Sequence, residues 1–262
     1  MLKNNRIVVF GGAGSIGSAI VKRLAPKNKI FIFDISENAY GLSQELKQNG
    51  FWVEARVGDI RDKDTIRDFF DDFKPQIVLN AAALKEVPIM ELYPLEAIKT
   101  NVLGHYNIVH TAKTWECVEK LIFISTDKVV NSNSIMGPTK RLSEIITINS
   151  GYSVVRLGNI IGSRGSLTTI WQKQEDEGKS LTVTDGKMKR YMMTIEEATE
   201  FIVSVIDKEG GKIYVPKLKQ KISVKDLAIK IIGMREGEVL EENLLFEEEM
   251  KKVIDNGDYY VV

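Results

Sequence analysis

One cysteine, two histidines and six prolines are all that these 262 residues contain of those types. With Cys117 alone, no intrachain disulfide can form, and a reducing compartment is expected. No histidine lies near Cys117 in the sequence, so it reads as a small apolar packing residue rather than a nucleophile. His105 and His110 fall in a helical stretch and read as structural, and no metal centre is expected. An excess of charge of either sign is also missing, with 36 Lys+Arg against 36 Asp+Glu. That balance gives no reason to expect a nucleic acid or an anionic membrane as partner. Any affinity for a phosphorylated ligand must come from a few placed basic groups. No apolar run reaches the ~18 residues that cross a bilayer, and no signal peptide precedes the first strand. A soluble, cytoplasmic chain is therefore expected.

What the chain does have is ordinary hydrophobic content, 44%, enough to fill a core. The length suits one large α/β domain, or one domain with a small appendage. Strand and helix signals alternate from the start. Apolar runs at Arg6 to Phe10, Lys29 to Phe33, Phe51 to Val57, Gln76 to Leu79, Leu121 to Ile124 and Tyr152 to Arg156 read as strands. Between them, helical patterns run from the glycines to about Ala25, from Ser36 to Gln48, from Asp62 to Phe73 and from about Pro94 to Trp115. Such alternation predicts a parallel sheet covered on both faces, with right-handed crossovers. After Gly158 the pattern loosens. Helices are predicted at Thr168 to Glu177, Ile195 to Asp207 and Val224 to Ile232, with short strands at Leu181 to Thr184 and Lys212 to Val215. The expected division is a nucleotide-binding part over 1–157 and a mainly substrate-binding lobe over 158–262. The run Glu247-Glu248-Glu249 reads as a solvated helix face.

Gly11, Gly14 and Gly17 lie three apart, directly between a strand and a helix. Glycine lets the backbone turn tightly and approach a pyrophosphate, and the helix N-terminus, here Ser15-Ile16, supplies free N–H groups. A glycine triplet alone is a weak signal, and a ligand-free turn is its bland alternative. Here Asp34 ends the second strand, where a carboxylate would grip a ribose 2′-hydroxyl. It would repel a 2′-phosphate, so NAD is favoured over NADP. Asp59-Ile60 after the third strand could meet an adenine. Asn80-Ala81-Ala82-Ala83 after the fourth leaves room for a sugar or nicotinamide. All sit at successive strand ends on one rim, giving a Rossmann-type doubly wound sheet.

The most informative segment is Ser125-Thr126-Asp127-Lys128, followed by Met136 and Lys140. A hydroxyl, a carboxylic acid and an amine stand together at the carboxyl end of a strand, and such a cluster can move protons. Read alone, Asp127-Lys128 could be a turn with a solvated ion pair.

Together, these motifs resemble the extended short-chain dehydrogenase/reductase superfamily. Within it, the chain is similar to the UDP-N-acetylglucosamine 4,6-dehydratases of the capsular polysaccharide-biosynthesis group. Matching stretches include Ala83-Leu84-Lys85-Glu86-Val87-Pro88, Glu96 to Val102, Arg156-Leu157-Gly158-Asn159, Gly162-Ser163-Arg164-Gly165-Ser166, Thr182 to Asp185 and Gly233 to Glu238. Most of the superfamily has tyrosine where this chain has Met136, and one branch of these dehydratases shares the methionine. Many relatives in that branch carry an N-terminal membrane region that has no counterpart in this sequence.

The resemblance implies a tightly bound, recycled NAD, with Asn101 and Ser125 among the cofactor contacts. It implies Lys128 as the base for the C5 proton, Asp127 as the acid for the C6 hydroxyl, Thr126 on the C4 oxygen and Lys140 on the nicotinamide ribose. Partial burial is expected to leave the lysine neutral and the aspartic acid protonated. With Met136 unable to carry a proton, Thr126 with a water relay is the candidate for the C4 step. Lys85, Asn159, Arg164, Arg190 and Arg235 are candidates for the sugar nucleotide, since a diphosphate calls for several N–H donors. Relatives pair through helices beside the active-site strand, so a homodimer or higher homo-oligomer is expected. The competing reading on the same fold is a nucleotide-sugar 4-epimerase or 4-keto reductase. A non-enzymatic NAD-sensing protein is a further alternative.

Overall fold

Valine, isoleucine and phenylalanine fill the first strand, β1 (Arg6–Phe10), and its residues alternate between two cores. Ile7 and Val9 point to one face of the sheet, Val8 and Phe10 to the other, as the period of two in a strand requires. The computed structural model describes residues 2–218, 221–223, 230–231 and 238–262. β1 pairs in parallel with β2 (Lys29–Asp34) and β4 (Ile77–Asn80). The large sheet also takes in β3 (Val53–Val57), β5 (Lys120–Thr126) and β6 (Ser153–Leu157). The strands β3-β2-β1-β4-β5-β6 are all parallel, and the order in which the chain adds them switches from one side to the other between β1 and β4. Ligands bind beyond the carboxyl ends of strands at such a switch.

Helices cover both faces. One core joins α1 (Ser15–Leu24) and α2 (Asn38–Gln48) to a later helix, Ile195–Val205. The other core joins α3 (Lys63–Phe73) to a later helix, His105–Thr114. Phe10, Phe33, Phe69 and Phe70 interlock there, with ring centroids 5.0–6.3 Å apart. Burying a side chain of this size contributes about 1.5–3 kcal/mol.

The stretch read as one helix from Pro94 to Trp115 is built in pieces. After α4 (Val87–Leu92), α5 (Pro94–Ala97) runs into π-helical turns at Ile98–Gly104, and then α6 (His105–Thr114) follows. The wider turns bring Asn101 inside. Gly104 is required because a Cβ there would lie 2.7 Å from Ile60 Cγ1. Next come α7 (Met136–Asn149), β7 (Asn159–Ile160), α8 (Leu167–Asp176), β8 (Thr182–Val183), β9 (Lys189–Met193) and α9 (Ile195–Val205).

Residues after 158 divide between two places. β10 (Ile213–Pro216) returns to the large sheet beside β6, followed by antiparallel strands later in the chain. β9 pairs with β7 on one side and β11 (Lys221–Ser223) on the other in a small sheet, and β8 pairs with β12 (Lys230–Ile231) in another. The helix expected over Val224 to Ile232 meets a strand at Lys230–Ile231, and its remaining residues and Arg235 lie outside the described residues. The chain then runs through α10 (Glu247–Met250), β13 (Ile254–Asp255) and β14 (Tyr259–Val261).

The acidic run at 247–249 is not wholly solvated. Glu249 is buried, and its carboxylate meets Arg156 Nη1 at 2.6 Å. Arg156 is fully buried and also meets Glu144 Oε2 at 2.9 Å. Burying a guanidinium alone is costly, so two carboxylates converge on it.

Candidate active site

The glycine loop forms a cradle against the fourth strand. Gly11 has φ +73°, and a Cβ there would sit 2.6 Å from the Ala82 backbone nitrogen. A Cβ on Gly17 would come within 2.1 Å of the Gly11 carbonyl oxygen. Gly14 starts α1 without a side-chain cap, so the first-turn N–H groups of Ser15, Ile16 and Gly17 have no capping side chain. Asp34 is fixed at the mouth of this loop, accepting from the N–H of Ala13 at 2.8 Å and of Ser36 at 2.9 Å. Asp59, at the next strand end, pairs with Arg61 at 2.6 Å. Ala81, Ala82 and Ala83 follow β4, where Asn80 Oδ1 accepts from the Ala82 N–H.

Two expected cofactor residues have other work. Ile60 is buried against Gly104 and packs in the core. Asn101 spends its amide on Leu84, accepting from its N–H at 2.8 Å and donating to its carbonyl at 2.9 Å. It therefore braces the Ala81–Leu84 loop from below. Among the described residues, Ser125 Oγ is the one buried side-chain polar atom without a hydrogen-bond partner. An unpartnered hydroxyl beside a loop with no space for side chains fits a dinucleotide lying along this rim.

β5 ends in the reactive cluster. Thr126 caps the single turn that follows, accepting from the Lys128 N–H. Its hydroxyl donates to Asp127 Oδ1 at 3.0 Å. Asp127 is fully buried, and burial pushes its carboxyl up to about 7. Lys128 opposes that rise, while Glu242 adds to it. The shift of Asp127 is in the direction that a proton-donating acid requires.

The expectation of a neutral lysine does not hold. Burial pulls the Lys128 amine down, but the carboxylates of Asp127 and Glu242 outweigh it and raise the amine above its ordinary value. Lys128 Nζ lies 3.4 Å from Asp127 Oδ1, 3.2 Å from Glu242 Oε1 and 3.0 Å from Asn159 Oδ1. Asn159, expected on the substrate, thus belongs to this cluster. It also donates to Asp127 Oδ2 at 3.2 Å and to Glu242 Oε2 at 2.7 Å.

Lys140 stands on the second turn of α7, and its buried amine donates to the Ile124 carbonyl at 2.7 Å. Burial pulls it down to about 7, against the upward pull of Glu144. Met136 opens the same helix but is buried with Met90 and Ala97, so its role is packing. His105 is buried between Asn80 and Thr147, and burial holds its imidazole down near 3, neutral as expected of a structural residue.

The basic candidates separate. Arg190 donates to the carbonyls of Lys189, Val239 and Leu240 and meets Glu242 at 3.3 Å, so its guanidinium is committed within the protein. Arg164 is exposed, and its backbone N–H donates to Ser15 Oγ at 2.9 Å. Lys85 donates to the Arg164 carbonyl. The Arg164 loop therefore lies against the glycine loop, and both basic side chains remain at the rim.

A glycine cradle, a strand-end acid and an acid–amine pair on one rim agree with what a search of family models finds, a match over residues 7–262 to a group described as "polysaccharide biosynthesis protein". The chain belongs to that family. A membrane protein of uncharacterised function from Methanocaldococcus jannaschii is 39% identical over 99% of this chain and 86% of its own length. A Campylobacter jejuni protein named UDP-N-acetylglucosamine 4,6-dehydratase (inverting) is 32% identical over all of this chain and 84% of its own. A Rickettsia bellii protein named UDP-glucose 4-epimerase is 34% identical over 99% and 83%. Among solved structures, Pen from Bacillus thuringiensis superposes with a TM-score of 0.93 at 28% identity, covering 99% of this chain and 88% of Pen. The family thus includes nucleotide-sugar dehydratases and epimerases on this fold. Among the described residues, no helix is long and apolar enough to cross a membrane.

Sequence reasoning missed one member of the cluster, Glu242. It lies in Leu240-Glu241-Glu242-Asn243, which reads as an exposed charged stretch. No spacing ties it to Asp127, and only the folded chain brings it there.

Proposed function

We propose that this family member is a nucleotide-sugar 4,6-dehydratase acting on UDP-N-acetylglucosamine, with NAD as a resident, recycled cofactor. The observation that carries the reading is a buried acid beside an amine, Asp127 and Lys128, with methionine rather than tyrosine at the head of α7. Moving a hydride at C4 alone needs no such pair. Removing water across C5 and C6 needs one group to take a proton and another to give one.

Gly11, Gly14, Gly17 and Asp34 would hold the dinucleotide, with Ala81 to Ala83, Ser125 and Lys140 nearest its reactive end. Bound NAD supplies hydride acceptance at C4 and hydride return at C6. Lys140, with an amine near neutrality, holds the ribose and favours loss of the C4 hydroxyl proton. Thr126 meets the C4 oxygen. Asp127, whose carboxyl burial raises to about 7, delivers its proton to the departing C6 hydroxyl when it is protonated. Lys128 takes the C5 proton. Because its amine is charged beside Asp127 and Glu242, its proton must first pass to the Asp127 carboxylate, which frees the amine for the C5 proton and leaves Asp127 holding the proton that the C6 hydroxyl takes. Arg164 and Lys85, exposed at the rim, are the candidates for the diphosphate, together with Arg235.

The Rickettsia relative supports a second reading, a UDP-sugar 4-epimerase. Mass spectrometry separates the two. Purified protein with UDP-N-acetylglucosamine should yield a product lighter by one water. A product of unchanged mass with inverted C4 would replace the dehydratase by the epimerase.

A further inference from the structure

Glu242 reaches the reactive cluster from a coil segment of the C-terminal part of the chain, yet it is 4% exposed. Its carboxylate receives contacts from three separate elements. Arg190 Nε on β9 lies 3.3 Å away, Asn159 Nδ2 on β7 donates at 2.7 Å, and Lys128 Nζ after β5 lies at 3.2 Å. A surface acid has no need of a half-buried arginine whose other donors are locked onto the carbonyls of residues 189, 239 and 240. The arrangement fixes one negative charge at one place, beside the two groups that the elimination requires.

We propose that Glu242 is a positioning residue of the elimination step: clamped by Arg190 and Asn159, it pins the Lys128 amine beside Asp127 and supplies the fixed negative charge against which that pair exchanges protons. This inference rests on the dehydratase reading for its chemistry, but not for its electrostatics. Among the described residues, the charged groups facing Lys128 are Asp127 on its own turn, Glu242 on the C-terminal segment and Arg190 on β9. Two carboxylates sharing a site cannot both ionise easily, so the better-paired one keeps its charge and the other keeps its proton. Glu242 holds the cations and sits below the ordinary carboxylate range despite its burial, while Asp127 is the partner pushed up.

The sign of the test follows. Glu242 raises both Asp127 and Lys128, so removing its charge lowers both. In E242Q the pH profile of dehydration should move bodily toward acid, by about half a pH unit or more, and its maximum should separately fall about tenfold because Lys128 is no longer held beside Asp127. A carboxylate that only held the fold would lower the amplitude without moving the profile. A second readout needs no turnover: protein labelled with ¹³C at the aspartate carboxyls, the Asp127 signal assigned with D127N, is titrated in wild type and E242Q. An acidward midpoint in E242Q supports the proposal, and an unmoved midpoint overturns it. If wild-type protein removes no water from UDP-N-acetylglucosamine, the dehydratase reading falls, and the carboxyl titration still decides the role of Glu242. Should E242Q fail to fold, E242D carries the comparison. It keeps the charge at shorter reach, so a smaller acidward displacement is expected, and none would overturn the proposal.

Discussion

The Lys140 amine lies 4.1 Å from the centroid of the Phe123 ring, and no carboxylate pairs with it at salt-bridge distance among the described residues. Its charge is met by the Ile124 carbonyl, by an aromatic face and, more weakly, by Glu144 one turn on. A lysine placed this way is poised to change charge near neutral pH.

That placement predicts a stability signature. The folded Lys140 amine titrates near 7, below its unfolded value. Between those two points the unfolded chain binds the extra proton, so stability from this group should grow as pH rises from about 7 toward 10. Melting curves of cofactor-free wild type and Lys140→Met should diverge over that range, with wild type gaining relative to the variant. Lys140→Met should also lose the hydride step and bind NAD more weakly. Turnover equal to wild type would remove Lys140 from the mechanism.

Asp127→Asn and Lys128→Met should each slow product formation by about a hundredfold to ten-thousandfold. Both should still oxidise C4, seen as absorbance of the reduced cofactor appearing on mixing with substrate. The aspartate carries a second consequence. Its folded pKa, about 7, is above the unfolded value, so its contribution to stability is present at low pH and lost as pH rises through 7. Asp127→Asn should therefore melt higher than wild type at pH 8 and show little difference at pH 4. A lower melting point at pH 8 would mean that the carboxylate is structural.

Asp34→Asn removes the charge at the mouth of the glycine loop and keeps an oxygen for the N–H groups of Ala13 and Ser36. Wild-type protein purified without added cofactor should release NAD on denaturation. The variant should lose at least about tenfold of its preference for NAD over NADP, roughly 1.4 kcal/mol. Tighter binding of NADP by the wild type would overturn the role given to Asp34.

Leu92, Leu95 and Leu103 on the α4–α6 stretch and Leu142 and Ile145 on α7 are exposed apolar side chains, Leu92 at 71% and Leu95 at 66%. Exposed apolar residues gathered on helices that flank the active-site strand suit association between copies. Light scattering at micromolar concentration should give a dimer or larger, and Leu103→Glu with Leu142→Glu should shift it to monomer. A monomeric wild type would refute this.

Much of the N-terminal half was legible in the chain, because its signals are local. The spacing of Gly11, Gly14 and Gly17, the end of β2 at Asp34 and the residues 125–128 after an apolar strand each report a backbone need within a few positions. The strand alternation that separates Val8 and Phe10 from Ile7 and Val9 is equally local, and it carried the parallel sheet. Tertiary structure decided what depends on burial and on distant partners. Asn101 became a brace because the π-helical turns direct it at Leu84. Glu249 left the solvent because Arg156 required two carboxylates. The shifts of Asp127 and Lys128 come from burial, from each other and then from Glu242, since the field at a buried lysine is summed over every charge the fold gathers around it, wherever that charge lies in the chain.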